Sequence, residues 1–208
     1  MRILAVTDTV VDGIHSPNII DRFGDVDQVV ACGDLPYMYL EYIATMLNVP
    51  CFFVHGNHDR VTHLSNGLTL TAPRGWVNLD RRTVHSKGTI LGGLEGSIRY
   101  RPHASFQYTN TEMALRIWSM TPRLLMNRLF YGRYLDILVA HSPAFGIQDG
   151  QDRPHRGFKP FLGFMARFRP RYLLHGHQHI YGRGPKSQHT HYMNTEVINV
   201  YPYRVVAL

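Results

Sequence analysis

A chain of 208 residues can bury a full core without disulfides or other staples, and 44% hydrophobic with 18% charged content excludes disordered and collagen-like classes. No run of about 18 apolar residues occurs, which excludes a transmembrane helix and leads us to expect no membrane partner. The formal charge of +7 favours anionic partners, but the arginines are scattered without a run of five, so nucleic acid is not the expected ligand. We expect one domain over residues 1–208 and, with a strand beginning at residue 2 and no signal or transit peptide, a cytoplasmic protein. Cys32 and Cys51 lack zinc or redox spacing and read as packed thiols.

Taken in order, residues 2–7 form an apolar run that reads as a strand and delivers Asp8 at its end. The pattern at 16–23 predicts a short helix, with Ser16 as N-cap and Pro17 at the first helical position. A second strand, 26–32, runs into Gly33-Asp34. A second helix, 37–47, opens after Pro36 and closes before Pro50. The run 49–54 then leads into Gly56-Asn57-His58-Asp59. Residues 66–73 read as a loop, followed by a meander of strands at 76–79, 83–85 and 89–94, with Ser86-Lys87-Gly88 as a hairpin turn. The glycines at 92, 93 and 96 predict a flexible loop over 92–99. A long helix, capped by Asn110 or Thr111, extends to about Phe130 with Pro122 kinking or splitting it. Strand 136–140 carries His141. A helix over 157–168 ends before Pro170, strand 171–175 leads to His177 and His179, and strands 196–200 and 203–207 close the chain as a hairpin around Tyr201-Pro202. The alternation predicts an α/β protein with two β-sheets packed face to face and helices outside.

Five apolar runs therefore end on polar, metal-capable residues. Buried polar groups are costly unless they are hydrogen-bonded or coordinate something, and open α/β sheets place ligands beyond the carboxyl ends of their strands. If the strands are parallel, the five ends share one rim. Glycines at 33, 56 and 176 directly precede the polar residue, where only a permissive backbone turns so tightly. His55 and His175 alternate away from these ends and read as packed or hydrogen-bonded histidines.

Asp8, Gly33-Asp34, Gly56-Asn57-His58-Asp59, His141 and Gly176-His177-Gln178-His179, in this order, resemble the calcineurin-like metallophosphoesterase family over residues 8–179. The resemblance implies a four-layer αββα sandwich of two mixed sheets, and a centre of one or two divalent ions (Mn, Fe or Zn) roughly 3.5 Å apart when paired. It implies Asp34 as a bridging carboxylate. Asn57, His141 and His177 would join it on the second ion, and Asp8 and His179 on the first. The implied reaction is hydrolysis of a small phosphate ester, a phosphodiester ahead of a monoester, by a metal-bound hydroxide. His58 would be the acid at the leaving oxygen and Asp59 would orient its imidazole. Arg99, His155 and Arg156 are candidate contacts to the substrate phosphate.

The sequence departs from the family at one place. Asp8-Thr9-Val10 stands where Asp-x-His is usual, and valine coordinates nothing. Asp12 or His15 could supply the missing donor, water or substrate could fill the gap, or the site could be mononuclear or inactive. The last case gives the alternative function, a metal-binding regulatory module with weak or no turnover. A nuclease is a further rival, though it calls for a basic stripe that the sequence lacks.

Overall fold

A computed structural model describes residues 1–63, 67, 69–179 and 188–208. In chain order the first half comprises β1 (Arg2–Val6), α1 (Ile19–Phe23), β2 (Gln28–Ala31), α2 (Tyr37–Leu47), β3 (Cys51–Phe53), a ribbon of β4 (Thr62–His63) and β5 (Thr69–Leu70), and β6 (Trp76–Asn78). The second half comprises β7 (Thr83–Ser86), β8 (Thr89–Leu94), β9 (Ser97–Ile98), β10 (Gln107–Tyr108), α3 (Asn110–Tyr131), β11 (Ile137–Ala140), α4 (Pro160–Phe168), β12 (Tyr172–His175), β13 (His189–Tyr192), β14 (Thr195–Asn199) and β15 (Tyr203–Ala207).

Two mixed sheets carry the fold. The first has the order β15-β1-β2-β3-β6 and the second β13-β14-β12-β11-β8-β7. β1, β2, β3 and β6 run parallel, as do β8, β11, β12 and β14. These strands read as continuous apolar runs because both of their faces are covered. One apolar cluster, with Ile3, Val30 and Phe52 from the first sheet and Leu91, Val139 and Leu174 from the second, fills the space between the sheets. A second joins the outer face of the first sheet to α1 and α2 through Leu4, Val29, Ile19 and Leu40. The third joins the other sheet to α3 and α4 through Leu138, Met120, Leu124 and Phe164. The layers are therefore helix, sheet, sheet, helix. Each fully buried Leu, Ile or Phe contributes about 1.5–3 kcal/mol, so the inter-sheet layer is a main source of rigidity beneath the strand ends.

Several local expectations need correction. The predicted meander is split, because β6 pairs with β3 in the first sheet while β7 and β8 form a hairpin in the second. The hairpin turn itself holds, with Lys87 and Gly88 both at positive φ. The predicted closing hairpin is likewise two separate pairings: β14 lies beside β12, and β15 crosses over to run antiparallel to β1. β13, unpredicted, is antiparallel to β14. Residues 69–70 of the predicted loop 66–73 form β5, while 66 and 68 lie outside the described residues. α1 begins at Ile19, and Ser16 does not cap it, since its hydroxyl is buried without a partner. The cap of α3 is Thr109, in a capping box with Glu112, a Thr-x-x-Glu signal present in the sequence. Pro122 sits inside α3 without splitting it. α4 starts at Pro160, later than the predicted 157.

The predicted flexible glycine loop is also corrected, since Gly92 and Gly93 are buried within β8. A Cβ on Gly93 would fall 2.5 Å from Leu79 Cβ and 2.7 Å from Val54 Cγ1, so the glycine allows the two sheets to approach. Gly93→Ala is expected to destabilise the protein by about 1–3 kcal/mol through overpacking. Urea denaturation would measure this, and an unchanged midpoint would show that the sheets can move apart at no cost.

Candidate metal centre

The strand ends converge because the chain takes rare backbone conformations at them. Asp8, Asp34 and His177 all have left-handed φ, at 59°, 56° and 65°, a conformation that side chains with a Cβ rarely adopt. Each follows directly on an apolar strand or its glycine, and the reversal turns its side chain inward. The preceding glycines permit close approach, of backbone to backbone at Gly33 and of backbone to side chain at Gly176. A Cβ on Gly33 (φ +92°) would lie 2.3 Å from Gly56 N, and one on Gly176 would lie 2.0 Å from Thr7 Oγ1.

Asp34, His141 and His177 present one donor atom each, all within 4.8 Å of one another. Asp34 comes from the first sheet and the histidines from the second. His141 Nε2 lies 3.3 Å from Asp34 Oδ2 and 3.0 Å from Asn57 Oδ1. Its Nδ1–H donates to the Cys32 carbonyl at 2.7 Å, which leaves Nε2 as the atom that can offer a lone pair. His177 is fixed in the complementary way: Nε2–H donates to the Pro154 carbonyl at 2.8 Å, and Nδ1 keeps its lone pair. Asn57 donates from Nδ2 to the Tyr100 hydroxyl at 3.2 Å, so its oxygen faces the histidine.

Protonation follows from burial and charge. Burial opposes charge on His141, but Asp34 beside it raises the imidazole to about 9. Burial likewise opposes the Asp34 carboxylate, yet His141 and the His58 N–H, at 2.7 Å, hold it at about 2. His177 is pushed down to about 3 by burial and by the charge on His141. The proton on His141 thus occupies a place between a carboxylate and an amide oxygen where a cation could sit. Two imidazoles, a carboxylate and an amide oxygen, with no thiolate, suit Mn²⁺, Fe²⁺ or Zn²⁺.

The other predicted pair is less complete. His179 Nε2 lies 3.3 Å from Asp8 Oδ1, and its ring stacks on Tyr201 at 4.5 Å. Asp8 Oδ2 accepts from the Thr7 hydroxyl and from His177 N–H. Among the described residues, no third His, Cys, Asp or Glu donor joins Asp8 and His179 within 4.8 Å. Val10 is exposed, Asp12 is exposed, and His15 packs edge-on against Tyr39 and Tyr42. A separate His189, His191 and Glu196 group sits on β13 and β14.

His58 is exposed and lines a cleft of about 450 Å³ together with Asn57, Tyr37, Tyr100 and Arg101. Asp59 does not orient His58. It is buried, accepts from Gly56 N–H at 2.8 Å, and burial with the nearby Asp34 charge pushes it up to about 6. It braces the turn that positions Asn57. His155 lies beside His177, with ring centroids 5.2 Å apart, and is bonded to Asp152. Arg99 pairs with Glu112 and the Gln107 carbonyl instead. Together with Arg153, Arg156 and Lys159, it lines a different cleft of about 460 Å³. Arg99 and Arg156 are therefore not brought to the donor cluster.

Sequence reading missed Tyr100, which gave no signal beyond a lone aromatic, and it missed a buried network behind His55. Glu95 accepts from the Tyr108 hydroxyl (2.7 Å) and Arg116 (2.8 Å), and pairs with His55 Nδ1 (3.1 Å). Arg116 also reaches Asp80 at 2.6 Å. The network joins β8 to α3 directly behind the turn that carries Asn57.

The family model for calcineurin-like phosphoesterases matches residues 1–181. The chain belongs to that family of metal-dependent phosphoesterases. No curated protein matches it. One solved structure aligns over 99% of this chain and 94% of its own at 15% identity, with a TM-score of 0.65. TT1561 of Thermus thermophilus aligns over 96% and 88%, also at 15% identity, with a TM-score of 0.61. Vps29 from Entamoeba histolytica aligns over 96% and 73% at 12% identity, with a TM-score of 0.43. The first two support the calcineurin-like sandwich as the fold.

The Glu95 network predicts a pH-dependent contribution to stability. Burial works against both charges, but His55, Tyr108 and Arg116 hold Glu95 below the usual carboxylate range, and Glu95 holds His55 above the usual imidazole value. The carboxylate's share is present above the ordinary carboxylate range and is lost as pH falls through its depressed value. The imidazole's share is present below its ordinary value and is lost as pH rises through its raised one. Glu95→Gln is expected to cost about 3–5 kcal/mol, the usual loss on breaking a buried pair, and most between those two ranges. A wild-type-minus-variant difference that stays flat with pH in urea denaturation would contradict this assignment.

Proposed function

We propose that this chain is a metal-dependent phosphoric ester hydrolase that acts on small phosphodiesters ahead of monoesters. The observation that carries the reading is the cross-sheet group of half-buried Asp34 and Asn57 with buried His141 and His177 at the strand ends, both imidazoles locked by backbone carbonyls. In this reading Asp34, Asn57, His141 and His177 hold one divalent ion, with manganese the first candidate, and Asp8 and His179 hold a second more weakly. A divalent ion held by these residues would supply Lewis acidity to a phosphoryl oxygen and lower the pKa of a bound water toward neutrality.

The remaining roles belong to the chain's own side chains. His58, exposed at the cleft beside Asn57, donates its proton to the leaving oxygen. Asp59 holds the turn through Gly56, and Tyr100 keeps the Asn57 oxygen inward. His155, held by Asp152 at 2.6 Å, stands beside His177 as a contact for the ester's distal group. Arg101, on the rim of the same cleft, takes the place first given to Arg99 and Arg156 as the cation facing substrate oxygens. The two free, buried thiols fit a protein working in the cytoplasm.

A second reading, a metal-binding regulatory module with little turnover, is favoured because, among the described residues, no third His, Cys, Asp or Glu donor joins Asp8 and His179. Hydrolysis of bis(p-nitrophenyl) phosphate and of p-nitrophenyl phosphate, each with Mn²⁺, separates the two. Faster turnover of the diester supports the proposal, whereas metal binding with neither ester hydrolysed supports the second reading. Val10→His supplies the absent imidazole and is expected to tighten the weaker ion about tenfold to a hundredfold, read by calorimetric Mn²⁺ titration. Unchanged affinity would show that another group already completes that site.

A further inference from the structure

Helix α3 is apolar on two opposite faces. Met113, Ile117, Met120 and Leu124 point inward and pack against the second sheet and α4. At 3.6 residues per turn, Leu115, Trp118, Leu125, Met126 and Leu129 fall on the opposite side, and all five are exposed, Trp118 by 74% and Leu129 by 78%. Phe130 adds to the stripe at the end of the helix, 68% exposed. An ordinary surface helix carries charged and polar groups there. A contiguous apolar face of this kind marks a contact surface.

The rim identifies the occupant. The sequence has no acidic residue between 113 and 131, while Arg123 and Arg128 border the stripe. Where α3 ends, a cleft of about 380 Å³ is lined by Arg128, Arg133, Arg167 and Arg169 with Tyr134 and Phe168. Among the described residues, the one carboxylate paired with these arginines is Asp136, on Arg133. A second copy of the same face would set arginines against arginines, which is repulsive.

We propose that this face rests on an anionic lipid bilayer. Helix α3 lies in the membrane plane, with Trp118, Leu125 and Leu129 at the boundary of headgroups and acyl chains, and the four-arginine cleft takes lipid phosphates. Amphipathic aromatics favour that boundary. Among the described residues no helix is long and apolar enough to cross a membrane. In this proposal the protein lies on the surface of the bilayer rather than across it. The proposal is independent of ester hydrolysis.

Vesicle sedimentation tests it with the full chain, using equimolar phosphatidylglycerol and phosphatidylcholine against phosphatidylcholine alone. Wild type is expected to sediment with the anionic vesicles, less so at high salt, and its fluorescence to shift to the blue. That shift reports Trp118, because the other tryptophan, Trp76, is already buried. The double variant Trp118→Ser, Leu129→Ser should keep its melting temperature and partition about tenfold less or weaker. Arg167→Gln with Arg169→Gln should lose the preference for anionic vesicles. Wild type that stays in the supernatant without a shift overturns the proposal. So does a vesicle-independent dimer in sedimentation velocity that the serine substitutions dissolve.

Discussion

The contact between Asp34 and His141 is the constraint on which the centre depends. One residue follows β2 in the first sheet and the other follows β11 in the second, so their 3.3 Å approach exists only while the two sheets keep their spacing and register. The His141 bond to the Cys32 carbonyl crosses the same gap. The inter-sheet layer of Ile3, Val30, Leu91, Val139 and Leu174 therefore fixes donor geometry as well as stability. Close packing makes it resist small displacements.

The strand ends carry a conformational cost that the fold offsets nearby. Left-handed φ at Asp8, Asp34 and His177 costs of order 1–3 kcal/mol each. Each is tied by backbone hydrogen bonds: Asp8 N–H to Gly33 O at 3.1 Å, His58 N–H to Asp34 Oδ1 at 2.7 Å, and His177 N–H to Asp8 Oδ2 at 2.9 Å. These bonds knit the ends of four strands, β1, β2, β3 and β12, to one another, and the glycines at 33, 56 and 176 leave room for them. The same bonds consume lone pairs. Asp8 Oδ2 is taken by Thr7 and His177, and Oδ1 is the oxygen that meets His179 Nε2, at 3.3 Å.

The parallel strands and their polar ends were legible in the sequence because continuous apolar runs and strand-ending glycines follow from burial on both faces and from tight turns. The partner of each strand was not. The pattern at 203–207 suits a hairpin with β14 as well as a place beside β1, and pairing is decided by tertiary packing. The two glycines of β8 looked like a loop because their neighbours come from other parts of the chain: Leu79 and Val54 of the other sheet crowd Gly93, and Leu135 and Met120 face Gly92. Arg99 and Arg156 were near motifs in sequence, yet each side chain is drawn away, by Glu112 and by the Gln151 carbonyl. Asp59 was expected to serve the neighbouring imidazole, but the Gly56 N–H claims it first. The outer stripe of α3 went unread because its spacing is also that of a core face, and only coordinates show which apolar face is covered.

The account rests on a cation replacing the proton held between Asp34, His141 and Asn57. Elemental analysis of the purified protein, with and without His141→Ala, measures this most directly. At least one tightly held divalent ion per wild-type chain, lost in the variant while the fold is kept, is the predicted result. Metal-free wild type that also takes up no Mn²⁺, Fe²⁺ or Zn²⁺ when supplied would contradict it.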